Sequence, residues 1–193
     1  MLAAPWSIDR GGSFARCAAL DVGGLRHAFG LRRHHAEHAA WSAYGSECRI
    51  RQVHGSTVVR ATEIGPEGVE ADAIWERAER LEDRHLAVRT ADCVPILLAT
   101  RDGEIVSAVH AGWRGTASRI VARTVETLTG QGRAAEELIA AIGPSIGPCC
   151  YPVAPDVADR VARASGLDLE ASGLDLKAAN RAQLLAAGVP SAA

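Results

Sequence analysis

Three side chains near the middle of the sequence could do chemistry together: His54, Cys93 and His110. One thiolate and two imidazoles form a three-ligand set for Zn²⁺ and leave a fourth position for water, whose pKa the metal lowers. Without a metal, Cys93 and His110 could instead be a nucleophile and its base. The sequence itself supplies geometry for two of the three. Val94–Ala99 and Ile105–Val109 are apolar runs on either side of Arg101-Asp102-Gly103-Glu104, and Asp-Gly is a favoured type I′ hairpin turn. Such a turn pairs Arg101 with Glu104. Each further pair then sums to 205, which places His110 opposite Pro95. Cys93 is two residues from Pro95 and so shares a face with His110, as a diagonal neighbour about 7–8 Å away or somewhat less. Pro95 cannot donate to a ladder, so this strand should be an edge or be bulged there, and a bulge would break the parity. His54 lies in Gln52-Val53-His54-Gly55, where the glycine lets the chain turn and approach a neighbour closely.

Residues beside these three have both chemical and plain readings. Asp92 could orient a ligand, shuttle protons or simply sit in a turn. Arg89 and Arg114 could hold phosphate or substrate oxygens. Twenty arginines against one lysine, with 37 alanines, read as GC-rich codon bias, which lowers the weight of any single arginine. The Gln52 amide could hold substrate or cap a strand. The three central residues could equally be a buried thiol, a turn histidine and a satisfied core histidine. His34, His35 and His38 could form a second metal site, but exposed histidines are the simpler reading without a third ligand and supporting shell. The adjacent Cys149 and Cys150 fit plain packing better than a disulfide.

The elements that must position these groups alternate between strand and helix. Residues 25–29, 48–60, 71–75 and 85–89 read as short strands around the central hairpin, and Leu138 to Ile142 as another. Residues 34–44, 116–128, 155–165 and 175–187 read as helices, the second capped by Thr116 or Ser118 and the last by Asp175, with Gly188 at its end. An antiparallel hairpin among mixed elements predicts an α/β (α+β) domain with a mixed β-sheet and flanking helices. The 193 residues suit one domain, 1–193. A net charge of −2 argues against nucleic-acid binding. No apolar run reaches membrane-spanning length, and residues 1–9 do not form a signal peptide. Five irregularly spaced cysteines suit a reducing cytoplasm rather than a disulfide framework. Only 4% of residues are aromatic.

Four segments carry a resemblance: Gln52-Val-His-Gly55, Arg89-Thr-Ala-Asp-Cys-Val-Pro95, Val109-His-Ala-Gly-Trp-Arg-Gly115 and Ile142-Gly-Pro-Ser-Ile146 with Tyr151. In this order, and with Asp175-Leu-Lys-Ala-Ala-Asn-Arg181 following, the chain resembles the laccase-like multicopper polyphenol oxidoreductases, also described as multifunctional purine nucleoside phosphorylases. The resemblance implies a catalytic zinc held by His54, Cys93 and His110, with copper as a competitor. It also implies phosphorolysis of adenosine, inosine, guanosine and methylthioadenosine, with phosphate as co-substrate, and deamination of adenosine. The implied fold is akin to the deamidase domain of cytotoxic necrotizing factor. The stretch after the first strand departs from the family and keeps little beyond Arg32, and the expected C-terminal segment with its aromatic residues is missing. Other readings of the same residues are a cysteine amidase acting on peptidoglycan precursors, a copper polyphenol oxidase, and an inactive metal-binding remnant. Seven histidines without a His-x-His pair argue against a self-contained multicopper centre.

Overall fold

A computed structural model describes residues 6–9, 13–31 and 45–190. The predicted helix 34–44, His34, His35, His38 and Arg32 lie outside the described residues. The strands are β1 (Trp6–Ile8), β2 (Phe14–Cys17), β3 (Phe29–Gly30), β4 (Ser46–Cys48), β5 (Val58–Arg60), β6 (Ala73–Arg77), β7 (Arg84–Leu86), β8 (Val94–Thr100), β9 (Ile105–Ala111) and β10 (Leu138–Ile142). The α-helices are α1 (Trp113–Ala117), α2 (Ile120–Thr129), α3 (Pro155–Ser165) and α4 (Leu176–Ala186). Five strands form the main sheet in the order β10-β8-β9-β6-β5. Its pairs are antiparallel except for parallel β5 and β6. This is the mixed-sheet α/β architecture that the sequence predicts.

Alternation along the central hairpin sends side chains to two cores. Ile96, Leu98, Ile105 and Val109 pack with Ile120, Val121, Val125, Leu128, Leu176 and Leu184 of the helices. Ala99 and Val106, on the opposite face, pack with Cys17, Leu20 and Phe29 of the N-terminal strands. Helix α2 buries the predicted stripe, Ile120, Val121, Thr124, Val125 and Leu128. Asp175 caps α4 by accepting a hydrogen bond from the Ala178 amide, which satisfies one otherwise free donor of the first turn.

The hairpin register is the predicted one: Pro95 faces His110, and Val94 faces Ala111. The turn itself differs. Only Gly103 has positive φ (+76°), whereas type I′ needs it at both central residues. The Gly103 amide bonds the Thr100 carbonyl and the Ile105 amide bonds Thr100 Oγ1. Lengthening the loop by one residue on each side leaves the pair sum unchanged.

Pro95 also corrects expectation, because its strand is neither an edge nor bulged. Its carbonyl accepts the Gly143 amide on the β10 side. A strand residue points its N and its carbonyl the same way, so the missing N–H faces the end of the β10 ladder. The last β10 pair there is Ile142 with Ile96, so the proline falls at the end of that ladder and forgoes only the bond its N–H would return to Gly143.

Three further elements shift. Of the residues 48–60 read as strands, 49–57 instead join β4 to β5 and lie outside the named strands. Residues 25–28 are not strand, and β3 covers only Phe29–Gly30. The helix predicted over 116–128 is two helices, broken at Arg119, whose φ is +61°. Thr116 is buried inside α1, and Ser118 ends α1 rather than starting α2. The apolar spacing fixes the inner face of α2 but carries no signal for the break. Among the described residues, no helix is long and apolar enough to cross a membrane.

Candidate metal centre

The site is assembled where the open end of the β8–β9 hairpin meets the loop before β5. His110 stands near the end of β9, and Cys93 immediately precedes β8. His54 comes from the loop between β4 and β5. The ligand atoms of His54, Cys93 and His110 all lie within 4.8 Å of one another, and the two imidazoles meet edge-on with centroids 4.8 Å apart. Among the described residues, these three form the one cluster of His, Cys, Asp and Glu able to hold a metal ion.

Asp72 holds this arrangement in place. It precedes β6, and its carbonyl accepts the His110 amide at 2.7 Å. Its fully buried carboxylate accepts His110 Nδ1–H at 2.8 Å. The amides of Val53 (3.3 Å), His54 (2.9 Å) and Gly55 (2.6 Å) donate to the same carboxylate. A carboxylate can only accept here, so the proton is on Nδ1 and the Nε2 lone pair of His110 is free for a metal. The left-handed residue in the loop is His54 itself (φ +60°), not Gly55. That conformation costs a non-glycine residue roughly 1–2 kcal/mol, which the charge-assisted bonds to Asp72 offset.

The electrostatics disfavour a free thiolate at Cys93. Burial opposes the charge of Asp72, but the bonds from His110, Gly55, Val53 and His54 outweigh it and hold this carboxyl below its usual range. Burial and the nearby Asp92 and Asp72 carboxylates push the Cys93 thiol up. Burial also pushes His110 down, against the pull of Asp72, so the ring stays neutral near pH 7. A protonated thiol beside a neutral imidazole differs from the thiolate–imidazolium pair of reactive cysteines. A divalent cation held by these three donors would supply the missing positive charge.

The surrounding space also fits a metal. A Cβ on Gly112 would stand 2.9 Å from Cys93 Sγ and 3.1 Å from His54 Cδ2. A Cβ on Gly115 would reach the Gly55 carbonyl at 3.0 Å. Both glycines therefore let α1 close over the ligands. Tetrahedral bonds of about 2.0–2.3 Å separate ligand atoms by roughly 3.3–3.7 Å, so small rotations of these side chains bring the donors to binding distance.

The other sequence-predicted residues are placed as follows. Gln52 spends both ends of its amide on the Arg89 backbone, accepting from N and donating to O at 2.8 Å each. It thereby pins the segment leading to Cys93. The Arg89 side chain reaches Glu47 at 2.7 Å. Asp92 is exposed, and its carbonyl accepts the Ile146 amide. Arg114 is exposed and stacks on Trp113, 4.4 Å from the ring centroid. It lines a cleft that also contains His54. Cys149 and Cys150 are exposed with free thiols, not packed inside as expected.

Sequence reasoning missed Asp72. Its signal was present in Ala71-Asp72-Ala73-Ile74-Trp75, a carboxylate at the head of an apolar strand with no turn residue beside it. It also missed Gly112, whose role depends on a contact between distant segments.

The chain is similar to known proteins over most of its length. The family model described as multi-copper polyphenol oxidoreductase laccase matches residues 26–193. A purine nucleoside phosphorylase of Deinococcus radiodurans is 44% identical over 147 residues, covering 73% of this chain and 56% of that protein. Adenosine deaminase RL5, from an unknown prokaryotic organism, is 38% identical over 158 residues, covering 74% of this chain and 60% of that protein. The crystal structure of YlmD from Geobacillus stearothermophilus superposes with a TM-score of 0.66 at 34% identity, covering 79% of this chain and 63% of that one. The chain thus spans a little over half the length of these relatives.

Proposed function

Because the chain belongs to the multi-copper polyphenol oxidoreductase laccase family, we propose that it is a zinc-dependent purine nucleoside phosphorylase with adenosine deaminase activity. The relatives named purine nucleoside phosphorylase and adenosine deaminase support the reaction class. The observation that carries the reading is the His54, Cys93 and His110 set, with the His110 imidazole and the His54 backbone amide both tied to one buried carboxylate. The proposed substrates are adenosine, inosine, guanosine and methylthioadenosine, with phosphate as co-substrate. We place the activity in a single catalytic domain, 1–193, in the cytoplasm.

His54, Cys93 and His110 would hold the zinc. When bound, zinc supplies Lewis acidity and lowers the pKa of water. Asp72 fixes the His110 tautomer and the His54 loop. Asp92, exposed beside Cys93, is the group placed to carry protons between the site and solvent. Gln52 acts by fixing the backbone at Arg89. Trp113 and Arg114 form the wall of the cleft, where an indole can stack on a purine and a guanidinium can bind oxygens. A cysteine amidase built on Cys93 and His110 is disfavoured by the raised thiol. A polyphenol oxidase with several coppers is disfavoured because only three clustered donors exist among the described residues.

The test is adenosine turnover by zinc-loaded protein with and without phosphate. Inosine should form in both cases, and adenine with ribose 1-phosphate only when phosphate is added. Cys93→Ala and His110→Ala should lose both activities. Zinc-loaded, folded protein that forms none of these products is a metal-binding remnant, and the reading fails.

A further inference from the structure

We infer that the cleft between α1 and α3 is a phosphoryl-anion subsite, formed by Arg114, Arg160 and Arg163 beside His54. This rests on the nucleoside reaction proposed above and deepens it by naming where phosphate oxygens are held. The cleft has a volume of about 550 Å³, and its walls include His54, Trp113, Arg114, Ser118, Arg160 and Arg163. Three arginines from two helices therefore line one concavity, with no carboxylate among its described lining residues. Arg160 and Arg163 are three residues apart on α3 and so project from one face.

A shared cleft wall separates these arginines from codon bias, since Arg49, Arg80, Arg84, Arg101, Arg119 and Arg123 likewise make no carboxylate pair among the described residues. Arg51, Arg60, Arg77, Arg89 and Arg133 each pair with a carboxylate. Asp156 and Asp159 stand four residues before Arg160 and Arg163, the spacing at which helical ion pairs form. Among the described residues neither pair is made, and Arg114 has no carboxylate partner either. Stacking on Trp113 occupies the face of the Arg114 guanidinium and leaves its N–H edges free. Free guanidinium edges match a tetrahedral oxyanion, which accepts paired N–H bonds. A cleft of one charge sign also concentrates anions beside the reacting centre. The oxyanion could be inorganic phosphate or the phosphate ester of a nucleotide, because both present the same oxygens.

Calorimetric titration of the zinc-loaded chain with inorganic phosphate and, separately, adenosine 5′-monophosphate tests this without requiring turnover. The proposal expects binding that weakens at least about tenfold in the Arg160→Gln/Arg163→Gln double variant. The surface control Arg51→Gln should bind as the parent does. Both replaced arginines are exposed, so the double variant should keep the parent melting temperature. If it does not, the two single variants should each show a smaller loss of the same kind. Binding of the nucleotide but not of phosphate, through the same arginines, upholds the subsite and assigns it to an ester. Phosphate binding in a chain that turns over no nucleoside upholds the subsite while the functional reading fails. Absence of binding by either ligand up to about 10 mM, an unchanged affinity in the double variant, or an equal loss in Arg51→Gln overturns the proposal.

Discussion

Asp72→Asn should lower zinc affinity 10- to 100-fold, the usual range for losing a carboxylate behind a ligating imidazole. It should also destabilise the metal-free protein by about 2–4 kcal/mol. One carboxylate receives His110 Nδ1–H and three successive loop amides while fully buried. An amide of the same size keeps one acceptor but turns an NH₂ toward groups that can only donate. The His110 ring then loses the bond that sets its tautomer, and the left-handed turn at His54 loses what offsets its strain.

The pH dependence follows from the sign of the Asp72 shift. Its folded carboxyl sits below the usual range, so its contribution is fully present above the unfolded value of about 3.9. That contribution is lost as pH falls through the lower folded value. The stability gap between parent and variant should therefore be widest near neutrality and shrink in acid. Chemical denaturation of chelator-treated protein at several pH values reads both the gap and its slope. An equally stable variant with parental zinc affinity contradicts the assigned role.

Gly112→Ala separates the site from the fold. The Gly112 backbone, φ −76° and ψ 172°, is extended and open to any residue, so alanine brings no conformational strain. The added methyl instead falls 2.9 Å from Cys93 Sγ and 3.1 Å from His54 Cδ2. Two ligands must move apart or Cys93 must change rotamer. The expected result is a metal-free melting temperature within a few degrees of the parent and zinc affinity reduced about tenfold or more, in the range of other disturbed metal sites. Competition against a chelating dye measures the affinity. Parental affinity would show that the glycine is not part of the cradle.

What the sequence disclosed divides along physical lines. The β8–β9 register was legible because it depends on a local turn and a period of two. It correctly brought Cys93 and His110 to one site even though the turn type was wrong. The inner face of α2 was legible from apolar spacing. The break at Arg119 was not, because a left-handed residue between two helices leaves no mark in periodicity. Pro95 misled because the missing N–H was judged without knowing which way it points, and its carbonyl bond to Gly143 supplies that direction. Asp72 was overlooked because its four donors come from segments about twenty and forty residues away, and only the β6–β9 pairing and the loop over it bring them together. His54 and Gly112 share this non-local character. The ligand identities were thus readable as residue types, while the shell that orients them required the fold.

The most direct test of the central claim is metal content of the chain purified without chelator, read by elemental analysis together with thiol alkylation. The expected result is one zinc per chain, lost in Cys93→Ala and His110→Ala, and a Cys93 thiol that alkylates only after the metal is stripped. A metal-free protein whose Cys93 alkylates rapidly at pH 7 and takes up no added zinc would contradict it.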